Sequence, residues 1–329
     1  TQENAKAWKD VSGQGYYYRA KSFLAALGNW APAYGPTAST DLGIPLKLNT
    51  NFNEKTTRST VAAGYAQVVA DLRRAISLLP DKALHVVRPS KPAAYGLMAR
   101  TMLLMGNYEA SAKYADSCLM LKSDLIDFNT LTAGATYPIP VFNAEVLAAS
   151  KITVLSVVNP SRGKILPELY NGYDNNDLRK TVYFKNNGNG SYAFKGSYDG
   201  SASPFGGMAV DEVYITRAEC RARSDQIQDA LADLNALLAK RYKTGTFAPI
   251  KITDKAALLA TILNERRKEL LLRGLRWIDI KRLNREGANI SVKRTVNGKE
   301  YVLAAGSARF AMPIPEDVIE LSGITQNQY

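Results

Sequence analysis

One histidine, His85, and two cysteines, Cys118 and Cys220, are the only imidazole and thiol groups in this 329-residue chain. His85 is near neither cysteine and no Cys-x-x-Cys spacing occurs, so a zinc site of these residue types and thiol catalysis are both disfavoured. A Ser-His-Asp triad would have to recruit His85 from a short basic linker after Pro80, and the Gly-x-Ser-x-Gly turn that exposes a nucleophilic serine is missing. Each cysteine lies in a helical pattern among alanines and leucines, which suits a small buried apolar group. A disulfide would need their helices to abut. Long apolar runs are lacking too: residues 101–105 and 256–263 fall far short of the ~20 that a membrane-spanning helix needs. The opening Thr1-Gln2-Glu3-Asn4 has neither the basic nor the apolar region of a signal peptide, so none is expected here.

Charge is in excess on one side, with 42 Lys and Arg against 30 Asp and Glu, a net +12. Together with 18 tyrosines able to stack on bases, this raises nucleic acid as a partner. The basic residues are scattered, at Arg73-Arg74, Lys240-Arg241 and Arg266-Arg267-Lys268, each with acidic neighbours, and form no tract. The expectation is no nucleic-acid partner, only a salt-dependent attraction to anionic ligands or surfaces. A 46% hydrophobic content is enough for a substantial core in one large domain or two.

The organising unit is a helix pair, and the expected class is mostly α with a few short strands. Lys91-Pro92 opens a helix through Met105, Gly106-Asn107 makes the turn, and residues 108–121 form the partner. Small residues for close packing are Ala99, Ser111 and Cys118, so the pair resembles a tetratricopeptide repeat. An earlier pair starts at Gln14, with Tyr17, Ala20, Phe23 and Leu24 on one face. It resumes at Ser59-Thr60 with Tyr65, Val68, Val69, Leu72, Ala75 and Ile76, ending at Leu79-Pro80. A third covers residues 210–223 and 226–242.

A fourth opens after Thr253-Asp254, a helix cap. Leu258, Leu259, Ile262, Leu263 and Leu270 recur on one face, and Gly274 suits a left-handed stop, so a helix is expected over about residues 255–273. Glu265 and Glu269 lie one turn apart among Arg266, Arg267, Lys268 and Arg273. Their charges can be answered within the helix or by Arg276, which is favoured over a catalytic carboxylate pair. Trp277 and Ile280 anchor a second short helix.

Long insertions interrupt the pairs, at residues 28–58 and 123–209, and insertions on a rigid scaffold tend to carry function. Residues 186–207 interleave Tyr192, Phe194, Tyr198 and Phe205 with glycine, asparagine and serine; Tyr170, Tyr173, Asn175, Asn176 and Asp177 lie just before. Aromatic faces beside amides suit sugars, whose C–H faces stack while hydroxyls bond. The expected ligand-binding residues are Trp30, Tyr34, Tyr170, Tyr173, Asn175, Asn176, Tyr192 and Tyr198. The alternative for each aromatic is simple cover for the helices.

Glu265-Arg266-Arg267-Lys268-Glu269-Leu270, followed by Gly274-Leu275-Arg276-Trp277-Ile278-Asp279-Ile280-Lys281-Arg282, closely resembles the signature of the SusD/RagB family of nutrient-binding outer-membrane lipoproteins. Further blocks follow in that family's order: Tyr17-Tyr18-Arg19-Ala20, Thr40-Asp41-Leu42-Gly43-Ile44-Pro45, Asp177-Leu178-Arg179, Val213-Tyr214-Ile215-Thr216-Arg217-Ala218-Glu219, Pro313-Ile314-Pro315 and the closing Asn327-Gln328-Tyr329. The resemblance implies a single SusD-like domain over residues 1–329, with a tetratricopeptide-type scaffold at 14–121 and 210–285 and a loop-rich insertion at 123–209. Against the family the chain starts late, without the lipid-bearing cysteine and the first helices. The resemblance further implies capture of an oligosaccharide at the cell surface and its delivery to a SusC-like TonB-dependent transporter. Neither catalysis nor a cofactor is implied. Other readings are capture of a peptide or another nutrient, a helical-repeat adaptor, and a glycoside hydrolase using Asp174, Asp177 or Asp199.

Overall fold

The computed structural model describes residues 4–51, 53–153 and 155–328; Tyr329 of the closing motif and Thr1, Gln2 and Glu3 lie outside the described residues. In chain order the elements are α1 (Ala5–Trp30), β1 (Leu42–Pro45), β2 (Arg58–Thr60), α2 (Val61–Leu78), α3 (Lys91–Leu104), α4 (Tyr108–Leu121), β3 (Val146–Ala148), α5 (Pro167–Asn171), α6 (Arg179–Val182), β4 (Phe184–Asn186), β5 (Tyr192–Phe194) and β6 (Met208–Ala209). Then come α7 (Val210–Arg223), α8 (Ile227–Ala239), α9 (Lys255–Glu269), α10 (Arg276–Arg285), β7 (Val292–Val296), β8 (Lys299–Leu303) and α11 (Glu316–Ser322). The strands form only antiparallel pairs, β1 with β2, β3 with β6, β4 with β5 and β7 with β8. The fold is mostly α, as the helical periodicity implies. Among the described residues no helix is long and apolar enough to cross a membrane.

The described chain divides into two compact units. The first holds the chain up to Leu78, Thr101–Asn107, and the chain from Leu275 on. Within it α1 packs along α2, burying Tyr17, Ala20, Leu24 and Leu27 with Tyr65, Val68, Leu72 and Ala75. Arg19 forks onto Asp71, with Nε to Oδ2 at 2.8 Å and Nη2 to Oδ1 at 2.6 Å. Helix α1 begins well before Gln14 and continues through Gly28, where a loop was expected, because Gly28 serves close packing: a Cβ there would lie 2.7 Å from Cγ2 of Ile278. Lys281 of α10 donates from Nζ to the carbonyls of Gly28 at 2.8 Å and Ala31 at 2.5 Å. A cation so placed satisfies carbonyls that a helix end leaves unpaired. Burial pulls the Lys281 ammonium down to about 8.

The second unit holds Leu79–Arg100 and Tyr108–Gly274. Helix α7 is its hub, packed against α4, α8 and α9. Ala99, Ser111 and Cys118 are buried where the repeat pattern requires small residues, and Ser111 Oγ donates to the Ala99 carbonyl at 2.8 Å. Both cysteines are buried, and burial pushes the Cys118 thiol up to about 12. Residues 123–209 are more than loops: Phe128, Tyr173, Tyr183, Phe184, Phe194, Tyr198 and Phe205 form an aromatic core with Ile139, Val146 and Val182.

The β3–β6 ladder closes that core tightly at Gly207. A Cβ there would sit 2.1 Å from the Ala148 carbonyl oxygen and 2.4 Å from Cζ of Phe205, both unable to give way cheaply. Gly207→Ala is expected to lower stability by about 3 kcal/mol, read as a lower urea midpoint with an unchanged m-value.

Candidate functional site

The buried face of α9 starts apolar, with Leu258 and Ile262, and continues at helical spacing as Glu265 and Glu269. Two carboxylates on a core-facing stripe must be answered by cations. Lys268 supplies part of this from within the helix, 2.6 Å from Glu265. The rest comes from elsewhere in the chain. Arg179 of α6, fully buried, forks onto Asp177 and reaches Glu265 at 2.6 Å and Glu269 at 2.9 Å. Arg241 lies 2.8 Å from Glu269 and 2.8 Å from Glu145. The Tyr198 hydroxyl donates to Glu145 at 2.5 Å and lies 3.3 Å from Asp211, which pairs with Arg273. The cations also lie over rings: Arg241 4.3 Å from the centroid of Phe128, Arg273 4.1 Å from Tyr198, Lys268 5.0 Å from Tyr173.

Among the described residues so joined, the carboxylates Asp177, Glu145, Asp211, Glu265 and Glu269 outnumber the cations Arg179, Arg241, Lys268 and Arg273 by one. The surplus shows at Glu145, whose carboxyl is pushed up to about 7 by burial, beyond what Arg241 restores, with Asp211 and Glu269 adding repulsion. Burial also pulls Asp177 upward, but Arg179 and Lys268 outweigh it and hold that carboxyl below its ordinary value. A charge so committed is unsuited to proton transfer, which removes Asp177 from any hydrolytic pair.

The network also decides where α9 stops. The helix was expected to reach Arg273; it ends at Glu269, and Leu272 takes the left-handed region at φ 56° before Gly274 at 74°. That turn packs Leu271 and Leu272 against the aromatic core and places Arg273 on Asp211.

The expected ligand residues fall into separate groups. In the first unit Trp30 and Tyr34 are half-buried. Tyr34 meets Tyr65 edge-on at 5.1 Å, and the Trp30 carbonyl accepts from Asn327 Nδ2 at 3.0 Å. In the second unit Tyr170 and Tyr192, both half-buried, stack with centroids 3.5 Å apart and planes 14° apart. Lys180 Nζ lies 5.2 Å from the Tyr170 ring and donates to Asn175 Oδ1 at 2.9 Å, so Asn175 joins this group. Asn176 is exposed, its carbonyl taken by the Lys243 amide. Tyr173 and Tyr198 are core residues instead. Tyr173 is 1% exposed, with its hydroxyl on the Lys268 carbonyl at 2.8 Å, and Tyr198 is 2% exposed. Both rings belong to the aromatic core, and Tyr198 also borders a cavity.

Near Tyr198 lies a cavity of about 160 Å³ that sequence reading missed. Val87, Val141 and Phe142, each nearly half exposed, line it together with the buried Val146, Tyr198 and Phe205. Its polar lining includes Ser150, Lys151 and Asp199. Lys151 Nζ lies 3.1 Å from Asp199 Oδ2, which also accepts from Ser201 Oγ at 2.5 Å. Phe142 has a φ of 55°, a region bulky residues rarely occupy, so no propensity could point to it. The available signal was Pro138-Ile139-Pro140, which marks a turn just before it.

Two outcomes follow from the network. Glu269→Ala strips a partner from both Arg179 and Arg241 and is expected to destabilise by about 3–5 kcal/mol, measured by chemical denaturation. The unfolded chain releases the Glu145 proton near 4.5 and the folded chain near 7, so its stabilisation is complete below 4.5 and lost as pH rises through 7. Thermal scans between pH 4.5 and 8 are expected to show the wild type losing stability relative to Glu145→Gln as pH rises.

A family model described as starch-binding associating with outer membrane matches residues 1–103, and one described as SusD family matches residues 190–329. No curated protein matches the chain. Among solved structures, a SusD superfamily protein from Bacteroides thetaiotaomicron aligns with a TM-score of 0.78 at 22% identity, over 99% of this chain and 79% of its own. A SusD superfamily protein from Bacteroides vulgatus gives 0.80 at 21%, over 98% and 78%. A SusD-like carbohydrate binding protein, also from Bacteroides vulgatus, gives 0.73 at 19%, over 97% and 77%. With family models matched toward both ends and the same fold along nearly its whole length, the chain belongs to the SusD/RagB family.

Proposed function

We propose that this protein binds an oligosaccharide at the cell surface and hands it to a TonB-dependent outer-membrane transporter, without covalent chemistry. The observation that carries this reading lies in the insertion, where the Tyr170–Tyr192 stack stands beside an ammonium and an amide. Aromatic faces flanked by such groups satisfy both sides of a sugar ring, apolar C–H on one and hydroxyl on the other. The names of similar structures, one a carbohydrate binding protein, support the same ligand class. Delivery to a transporter and lipid anchorage in the outer membrane rest on family membership alone. A hydrolytic role would need two carboxyls facing each other across the sugar; at the cavity, Asp199 is instead engaged through Oδ2 by Lys151 and Ser201.

The test is an array of neutral and acidic oligosaccharides with a peptide set alongside, then co-purification with a TonB-dependent transporter from the source cell's outer membrane. Selective sugar binding is expected, weakened roughly fivefold by Tyr192→Ala, about 1 kcal/mol. Binding of peptides in place of every sugar, or no binding and no transporter, would sink the proposal.

A further inference from the structure

We infer that the cavity beside Asp199 is an end-recognition subsite that takes a single neutral pyranose ring from the terminus of the glycan; this rests on the carbohydrate reading above. Size is the first argument. A cavity of about 160 Å³ is close to the roughly 150 Å³ that holds one benzene ring, so it seats the body of at most one six-membered ring, with the ring's substituents toward the open side at Val87, Val141 and Phe142.

Chemistry is the second. The exposed lining at Val87, Val141 and Phe142 and the buried lining at Val146 and Phe205 suit the C–H face of a sugar. Asp199 supplies the polar side. Its side chain is 6% exposed and its Oδ2 is taken by Lys151 and Ser201, while among the described residues Oδ1 accepts no hydrogen bond. That acceptor suits a ring hydroxyl, and a bond to a carboxylate is stronger than one to a neutral group. Lys151 balances the Asp199 charge, so the pair favours a neutral ring, and a hexuronate would set its own carboxylate against Asp199.

Backbone strain is the third argument. Phe142, at φ 55°, stays 45% exposed and meets His85 edge-on at 4.6 Å. A bulky ring in this region persists only where the surroundings hold it there, a pattern that clusters at ligand clamps. Here the holding is visible: Asn143 Nδ2 donates to the Pro140 carbonyl at 3.1 Å and Asn143 Oδ1 accepts from the Glu145 amide at 3.0 Å. The Phe142 ring is thereby set at the cavity at the expense of local backbone comfort.

The test uses the full chain. Its strongest array glycan is titrated calorimetrically into wild type, Asp199→Asn, Phe142→Asn and Tyr192→Ala, and again after methylation of the hydroxyls of the terminal ring. The expected result is at least a tenfold loss of affinity for each cavity variant and for the capped glycan. Phe142→Asn should keep or raise the melting temperature, because asparagine tolerates a left-handed backbone. A glycan bound equally well by wild type and both cavity variants, or with its end capped, would overturn the inference while leaving the sugar-binding reading standing. No glycan bound by wild type would overturn both.

Discussion

A guanidinium shut away from water loses several kcal/mol of hydration unless opposite charge meets it in place, and Arg179 is such a group. Asp177 is two residues away, but Glu265 and Glu269 come from a helix some ninety residues further along. Bringing those three carboxylates around one side chain fixes α6 against α9, and with them the aromatic insertion against the helical hub of its unit. Arg241 and Tyr198 extend the same chain of contacts to Glu145, Asp211 and Arg273. The cavity sits at the far end, so its Tyr198 and Phe205 lining rests on a cation that is itself paired. The loops that line the cavity are thereby tied to a helix.

Much of the scaffold was legible because helix periodicity and punctuation agree. The chain turns between α3 and α4 where Gly106-Asn107 predicts, and Asp254 caps α9 through the Ala257 amide at 2.8 Å. The end of α9 was misjudged because its cause is tertiary: Arg273 pairs with Asp211, sixty-two residues away in sequence, and Leu271 and Leu272 turn into the aromatic core. The burial of Glu265 and Glu269 was legible in principle, since 258, 262, 265 and 269 share one helical face. What sequence could not supply was the identity of their partners.

Composition pointed to an aromatic segment but could not sort its rings. Tyr170, Tyr173, Tyr192 and Tyr198 look alike in sequence, yet two are stacked and half-buried while two are enclosed with their hydroxyls bonded. Phe142 and Asp199 became visible only through a left-handed backbone and a carboxylate held at a cavity wall. The glutamates of the family signature, Glu265 and Glu269, pair with Arg179 of the insertion, so the signature helix and the insertion are joined by buried charge.

Hydrogen exchange on Arg179→Met tests most directly whether the buried network is what holds the insertion in place. The account predicts that amides of residues 123–209 exchange much faster than in wild type, while those of α7 and α8 keep their protection. Unchanged protection across the insertion would contradict it, and would mean that the aromatic core alone positions the site.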